Sequence, residues 1–257
     1  MRFLFVAALF CAVASMAWAY SPVPVAKSAA ETTLSAALEH APSDSAKLKI
    51  AEDALNAHPE DVPAARMAQD VITKLMPDPV AFFKARAEKS DAISAHYLYG
   101  YLAGDSVITA REAAWILAKD PKSYWGHMLA ADAEWNKENV NYAALTGHIA
   151  DAIAVDPSRP EAYIYMGYVA EEQEKWQDAR QAFEAAAVSD PSSATARDQR
   201  LTAYAQLRDG KAYFDLAQTA FPATPLTMDL PRANGKGHLT TADLLGKNTV
   251  VEYWAFT

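Results

Sequence analysis

Thiols are almost missing from this sequence. Cys11 is the only cysteine among 257 residues, and it stands inside an apolar run at the N-terminus. Beyond it there is no disulfide to staple a small core and no thiolate for nucleophilic or redox work, so stability must come from packing. Basic clusters are missing too. The formal charge is −9, and no Lys/Arg patch is available to release phosphate counterions, which argues against a nucleic-acid or anionic-membrane partner. His40, His58, His96, His127, His148 and His238 are scattered without the spacing that would bring two ring nitrogens onto one metal, so neither a metal site nor a cofactor is expected. No Ser-His-Asp set or paired carboxylates can be argued. Asn234-Gly235-Lys236-Gly237 lacks the strand and helix that a phosphate loop needs and reads as a hairpin turn. Glu171-Glu172-Gln173-Glu174 falls at a turn between helices, where solvated charge is the expectation rather than an acidic ligand cluster.

What is present is enough apolar material, 51% of the residues, to fill one or two ordinary domains. Met1-Arg2 followed by the apolar stretch from Phe3 and by Ala17-Trp18-Ala19 has the pattern of a secretory signal, with cleavage expected before Tyr20. The stretch borders on membrane-spanning length, so an uncleaved anchor is the alternative. Phe10 before Cys11 argues against a lipoprotein site. Arg2 is the only charged residue in the leader, so its removal leaves 22 basic against 32 acidic side chains, a net charge of −10.

The middle of the chain is periodic. Asp-Pro pairs fall at Asp120-Pro121, Asp156-Pro157 and Asp190-Pro191, spaced 36 and 34 residues apart, with a looser Asp78-Pro79 before them. Proline cannot extend the preceding helix and restricts its own predecessor, so each pair is expected to close one helical hairpin. A period near 34 resembles the tetratricopeptide repeat (TPR). The best repeat, 160–193, places Tyr163, Met166, Gly167, Ala170, Ala179, Phe183, Ala186 and Pro191 at that family's signature positions, with Ala170 where a large aromatic is commoner. Small residues at helical intervals let two helices approach closely, and Tyr163, Met166 and Phe183 fill the groove between them. A weaker repeat runs over 123–157 and a still weaker one over 91–121, with a turn at Gly104-Asp105, a helix from Ala110 to Lys119 and Trp115 buried. Helices are also expected at 31–40, 44–57 and 60–75, and a last pair at 193–207 and 211–219 with Gly210 ending its first member.

The resemblance implies a concave face built from first helices, which in TPR domains holds an extended peptide or a helix of another protein. Carried over by position, Glu161, Ile164, Tyr168 and Glu171 would look into it, joined by His127, Ala130, Glu134 and Lys137 of the preceding repeat. The Lys/Asn arrangement that clamps a C-terminal carboxylate in some TPR domains is not among them.

From Phe221 the composition changes to prolines and short alternating segments. Leu226–Leu230 alternates like an edge strand before the Asn-Gly turn, a Leu239–Lys247 segment contains Asp243-Leu244-Leu245-Gly246-Lys247, and Val250–Trp254 is a hydrophobic strand. That order resembles the opening of a thioredoxin-like (redoxin) domain of the periplasmic TlpA family, where Tyr-Trp-Ala leads into Cys-x-x-Cys. Glu252 is the misfit, a charge in a strand covered on both faces. The resemblance implies a periplasmic location and a parent thiol-disulfide oxidoreductase, with the chain stopping at Thr257 before the two cysteines.

The expected architecture is mainly α: a TPR-like solenoid of antiparallel helical hairpins followed by a short, incomplete β segment of thioredoxin-like type. Its parts are a signal peptide at 1–19, a linker at 20–30, helical repeats at 31–219 and the opening of the thioredoxin-like domain at 220–257. The function implied is an exported protein-interaction module fused to a redox domain, with no catalytic residue in the chain as given. The alternatives are a non-catalytic TPR adaptor and a thioredoxin fold without cysteines.

Overall fold

The computed structural model describes residues 20–220, 229–231 and 237–240. The signal sequence expected at 1–19, the turn expected at Asn234-Gly235 and the strand expected at Val250–Trp254 lie outside the described residues. Twelve α-helices occur among those described: α1 (Ala29–Glu39), α2 (Asp44–Ala57), α3 (Val62–Leu75), α4 (Pro79–Ala87), α5 (Ile93–Leu102), α6 (Ser106–Lys119), α7 (Tyr124–Trp135), α8 (Tyr142–Val155), α9 (Pro160–Glu172), α10 (Trp176–Ser189), α11 (Ala194–Gln206) and α12 (Gly210–Ala220). Two short strands, β1 (Asp229–Pro231) and β2 (His238–Thr240), follow.

The repeat is visible first in how its helices stop. Asp120, Asp156 and Asp190 cap α6, α8 and α10 with φ near −137°, −140° and −133°, the extended backbone that a following proline imposes. Each caps by the same bonds. Its N–H closes on the carbonyl of Ile116, Ala152 or Ala186. Its carboxylate accepts the N–H two residues on, from Lys122, Ser158 or Ser192, at 3.0, 3.0 and 2.9 Å. Its carbonyl accepts from Ser123, Arg159 or Ser193, which are the N-caps of the next helices. Asp78 departs from this use. It opens α4 rather than closing a hairpin, accepting Ala81 N–H at 3.0 Å with Pro79 in the first turn.

The turns inside hairpins share a second device. The position two residues beyond α5, α9 and α11 is Gly104, Glu174 and Arg208, with φ of 65°, 56° and 56°. Only glycine enters that left-handed region without steric cost, so Glu174 and Arg208 carry local strain that Gly104 avoids. Two sequence readings are corrected here. α6 begins at Ser106, ahead of Ala110, because Asp105 caps it by accepting from Val107 and Ile108 N–H. Gly210 opens α12 instead of ending α11, since the Arg208 turn has already stopped that helix.

Two compact units result, Met1–Asp209 and Gly210–Thr257. In the first, odd-numbered helices stand side by side, with α1 against α3, α3 against α5, α5 against α7 and α9 against α11. Tyr124 of α7 continues the row by accepting Ala162 N–H of α9 at 3.1 Å. Even-numbered helices pack behind, α6 between α5 and α7, α8 between α7 and α9, α10 between α9 and α11. One apolar core runs from Leu34 to Ala182, with Phe83, Leu55 and Ile72 among its largest enclosed side chains, and Tyr163 and Phe183 anchor two smaller clusters toward α10 and α11. Trp115, expected to be buried, is half-exposed and stacks on His96 at 3.5 Å between ring centroids.

Of the stretch 20–30 read as a linker, residues 20–27 lack regular structure yet are tied to this body, and α1 already begins at Ala29. Val23 and Val25 donate to the carbonyls of Pro157 and Ser189 at 3.2 and 2.8 Å, and the Tyr20 ring meets Tyr163 edge-on at 5.4 Å. Ser28 and Glu31 then form a reciprocal capping box that starts α1. In the second unit, β1 and β2 pair antiparallel with Leu230 opposite Leu239.

Gly167 shows how close the helices come. A Cβ there would stand 2.3 Å from Phe183 Cε1, whereas at Gly147 of α8 nothing lies within 4 Å. Gly167→Ala is therefore expected to destabilise by about 1–3 kcal/mol through overpacking. Gly147→Ala should stabilise by about 0.5–1 kcal/mol through helix propensity. Urea midpoints of the two variants should move in opposite directions; a shared direction would show that Phe183 does not abut α9 as described.

Candidate functional site

The odd-numbered helices present a row of aromatic and charged side chains. Arg66 of α3 is its centre. The Arg66 Cζ lies 5.8 Å from the ring centroid of Tyr101 on α5 and 5.3 Å from that of Trp125 on α7, and its Nη1 bonds Glu161 Oε1 of α9 at 3.1 Å. Tyr97 packs on Trp125 at 5.0 Å and parallel to Tyr101 at 6.0 Å, and Arg159 also lies over the Trp125 ring at 5.7 Å. Four helices laid flat at about 8–10 Å spacing would hold α3 and α9 about 25 Å apart, beyond the reach of an arginine and a glutamate. The Arg66–Glu161 bond therefore requires the row to curve inward on this side.

Burial opposes the Arg66 charge, yet Tyr97 and Glu161 outweigh it and hold its pKa above the ordinary arginine value. A second polar contact crosses from α7 to α9, where the Tyr165 hydroxyl donates to Asp132 Oδ1 and the Tyr165 ring leans on Trp135 at 5.8 Å. Burial pushes the Asp132 carboxyl up to about 6, against the lowering pull of the Tyr165 hydrogen bond and Arg66. Burial, then the neighbouring Glu172, likewise raises Glu171. Trp135, Val140, Tyr142 and Glu172 line a cleft at the far end of the same helices.

Of the residues singled out in the sequence, Glu161 lies in this row and Tyr168, two turns further along α9, shares its side of the helix. Tyr168 sets its ring edge-on to Phe183 at 5.8 Å, and Ile164 packs half-buried beside Ala185, Ala186 and Ala203. Glu171 sits near the end of α9 with one carboxylate oxygen buried and unpaired. His127, Glu134 and Lys137 are elsewhere. His127 turns toward α8, with its ring 6.0 Å from His148 and its Nδ1 3.8 Å from Asp151, while Lys137 pairs with Glu134. The cause is register. The expected positions assume a repeat of 34, but the Asp-Pro spacing here is 36. A two-residue error rotates a helix by about 200°. With the true spacing, Glu161 and Tyr168 correspond to Trp125 and Asp132, and Tyr163 corresponds to His127. Trp125, Asp132, Tyr97, Tyr165 and Arg66 were thus not identified from sequence, though the spacing of the Asp-Pro pairs held the signal for the first two. The reading of all histidines as dispersed is also corrected, because the antiparallel α7–α8 hairpin folds His127 opposite His148, residues equally far in sequence from Lys137-Glu138.

By sequence, no protein family and no curated protein matches the chain. Solved structures do match. PilW, a widely conserved type IV pilus biogenesis factor, superposes with a TM-score of 0.52 at 16% identity over 77% of this chain and 96% of PilW. A tetratricopeptide repeat protein from Parabacteroides merdae gives 0.45 at 10% identity over 75% and 79%, and MamA gives 0.37 at 15% identity over 76% and 97%. The chain has the fold of a TPR-like helical-hairpin solenoid. No described helix is long and apolar enough to cross a membrane.

Asp132 links this face to pH. Its carboxyl keeps a proton to about pH 6 when folded, whereas an unfolded aspartate loses it near 4, so the folded state binds more protons in between. The contribution is greatest below about pH 4 and is lost as pH rises to about 6, by roughly 3 kcal/mol. Asp132→Asn should match the wild type at pH 4 and exceed its stability by about 2–3 kcal/mol at pH 7 in denaturant titrations. An equal difference at both pH values would contradict the burial of an ionisable Asp132.

Proposed function

We propose that the helical body is an exported protein-interaction module whose odd-helix face holds an extended peptide or a helix of another protein. The observation that carries this reading is the run of Tyr101, Trp125, Trp135, Tyr165 and Tyr168 on consecutive first helices α5, α7 and α9, flanked by Glu161, Glu171 and Glu172. Aromatic side chains supply contact area at low entropic cost and are enriched where interfaces concentrate their energy. Tyr101 is 47% exposed and free to take a partner's side chain. The acidic flank favours a segment carrying basic groups over an acidic one. The TPR-like fold supports the same class of partner. Screening the chain from Tyr20 against a displayed peptide library tests it: selected peptides should bind, and Tyr101→Ala with Tyr168→Ala should weaken them by about tenfold or more. Undiminished binding by the double variant would move the site off this face.

The finer reading extends to the C-terminal segment. We propose that it begins a thioredoxin-like domain of TlpA type and that the protein acts in the periplasm, the helical body recruiting partners for thiol-disulfide exchange by a longer parent polypeptide. Its support is the order of Leu226–Leu230, Asp243–Lys247 and Val250–Ala255 in sequence, together with the β1–β2 hairpin. Thiol-disulfide exchange on this reading belongs to the Cys-x-x-Cys of the longer polypeptide, and the helical body contributes recognition. Sequencing the reading frame past Thr257 should reveal Cys-x-x-Cys within a few codons, and the secreted product should have the mass of a chain starting at Tyr20. A stop codon there would leave the adaptor reading, in which binding is the whole function.

A further inference from the structure

We propose that His127, His148 and Asp151 bind a divalent transition-metal ion of the zinc class and clamp α7 to α8. The three residues each offer a ligand atom, and these atoms lie within 4.8 Å of one another. His127 Nδ1 and Asp151 Oδ2 are 3.8 Å apart, against the roughly 3.3–3.5 Å that separates ligands on a tetrahedral zinc with bonds of about 2.0–2.2 Å. Rotation about the side-chain bonds closes so small a gap. His148 and Asp151 stand one turn apart on α8 and so share a face of it.

The hydrogen bonds prepare the site. His127 Nε2–H donates to the Pro121 carbonyl at 3.2 Å, which leaves Nδ1 with its lone pair directed at α8. A metal-binding imidazole is oriented in this way, by a backbone carbonyl on its other nitrogen. His127 Nδ1 and His148 Nδ1 are nevertheless buried without a hydrogen-bond partner, as is Glu134 Oε2 nearby. Buried polar atoms are ordinarily paired, and two orphan ring nitrogens on facing helices beside the Asp151 carboxylate mark a place for a shared ligand. His96 supplies the contrast: buried at a comparable depth on α5, it bonds Glu112 through one nitrogen and the Ser90 carbonyl through the other, and it needs no ion.

Charge and ligand type select the occupant. Two imidazoles and a carboxylate suit zinc, nickel or copper better than magnesium or calcium, which prefer oxygen alone. Asp151, with Glu134 beside it, offsets the dication. Three protein ligands leave one tetrahedral position, and Asp151, 63% exposed in its side chain, places that position toward water.

Titrating the chain from Tyr20 with zinc sulfate by calorimetry tests the site. One equivalent should bind and raise the melting temperature by about 5 °C at saturation. His148→Gln should abolish this binding and Asp151→Asn should weaken it at least tenfold, while His58→Gln on α2's C-cap leaves it unchanged. Circular dichroism of the ion-free variants separates loss of the site from loss of the fold, and Asp151, being exposed, tolerates the isosteric change. Cobalt substituted for zinc should give the intense visible absorption of a four-coordinate ion. Absence of binding by the wild type, or zinc affinity in the folded His148→Gln and Asp151→Asn variants equal to the wild type's, overturns the proposal.

Discussion

Each long helix of this chain has to stop where the next must turn back, and three times an aspartate before a proline does it. The proline forbids a further helical turn, the aspartate carboxylate takes the N–H two residues on, and its carbonyl seats the cap of the following helix. Stopping and restarting at a fixed spacing sets which face each helix presents. Once Asp120, Asp156 and Asp190 are placed, the alternation of first helices in front and second helices behind follows, and with it the continuous core from Leu34 to Ala182. Gly167 and the small residues Ala179 and Ala186 then let α9 and α10 close on Phe183.

That logic was legible from residue pattern where the pattern was local. The Asp-Pro spacing, the signature from Tyr163 to Pro191 and the N-terminal helices over 31–75 need only nearest neighbours along the chain. What was not legible depends on rotation and on contacts across the row. α4 is short, and its Asp-Pro pair opens a helix instead of closing one, so one motif carries two meanings. The two-residue difference between repeats of 36 and 34 turned His127, Glu134 and Lys137 away from the face expected for them and brought Trp125 and Asp132 onto it. Arg66 and Glu161 are 95 residues apart, and no periodicity announces such a pair. Tyr20 to Val25 read as a linker because backbone bonds such as Val25 to Ser189 leave no mark in a sequence.

The face and the hairpin interior serve different chemistry. Outward, the odd-numbered helices set an aromatic row with an acidic border, the surface on which the proposed partner would rest. Inward, His127 occupies the position that Tyr163 fills in the best repeat: its ring bonds the Pro121 carbonyl as the Tyr163 hydroxyl bonds the Pro157 carbonyl, and its second nitrogen faces α8. The 36-residue spacing explains both: it sets Trp125 and Asp132 on the face and His127 in the α7–α8 hairpin.

The bond between Arg66 and Glu161 joins the second turn of α3 to the first turn of α9 across α5 and α7. Both groups are partly wetted, so the bond is worth about 1 kcal/mol or less. A stack of hairpins touching only its neighbours bends like a spring, and this bond acts as a clasp across the bow. On the proposed reading, a guest that supplies its own acid for Arg66 or its own base for Glu161 would open so weak a clasp. Occupancy would then be reported as a change in the span of the coil, legible at its two ends far from where the guest sits.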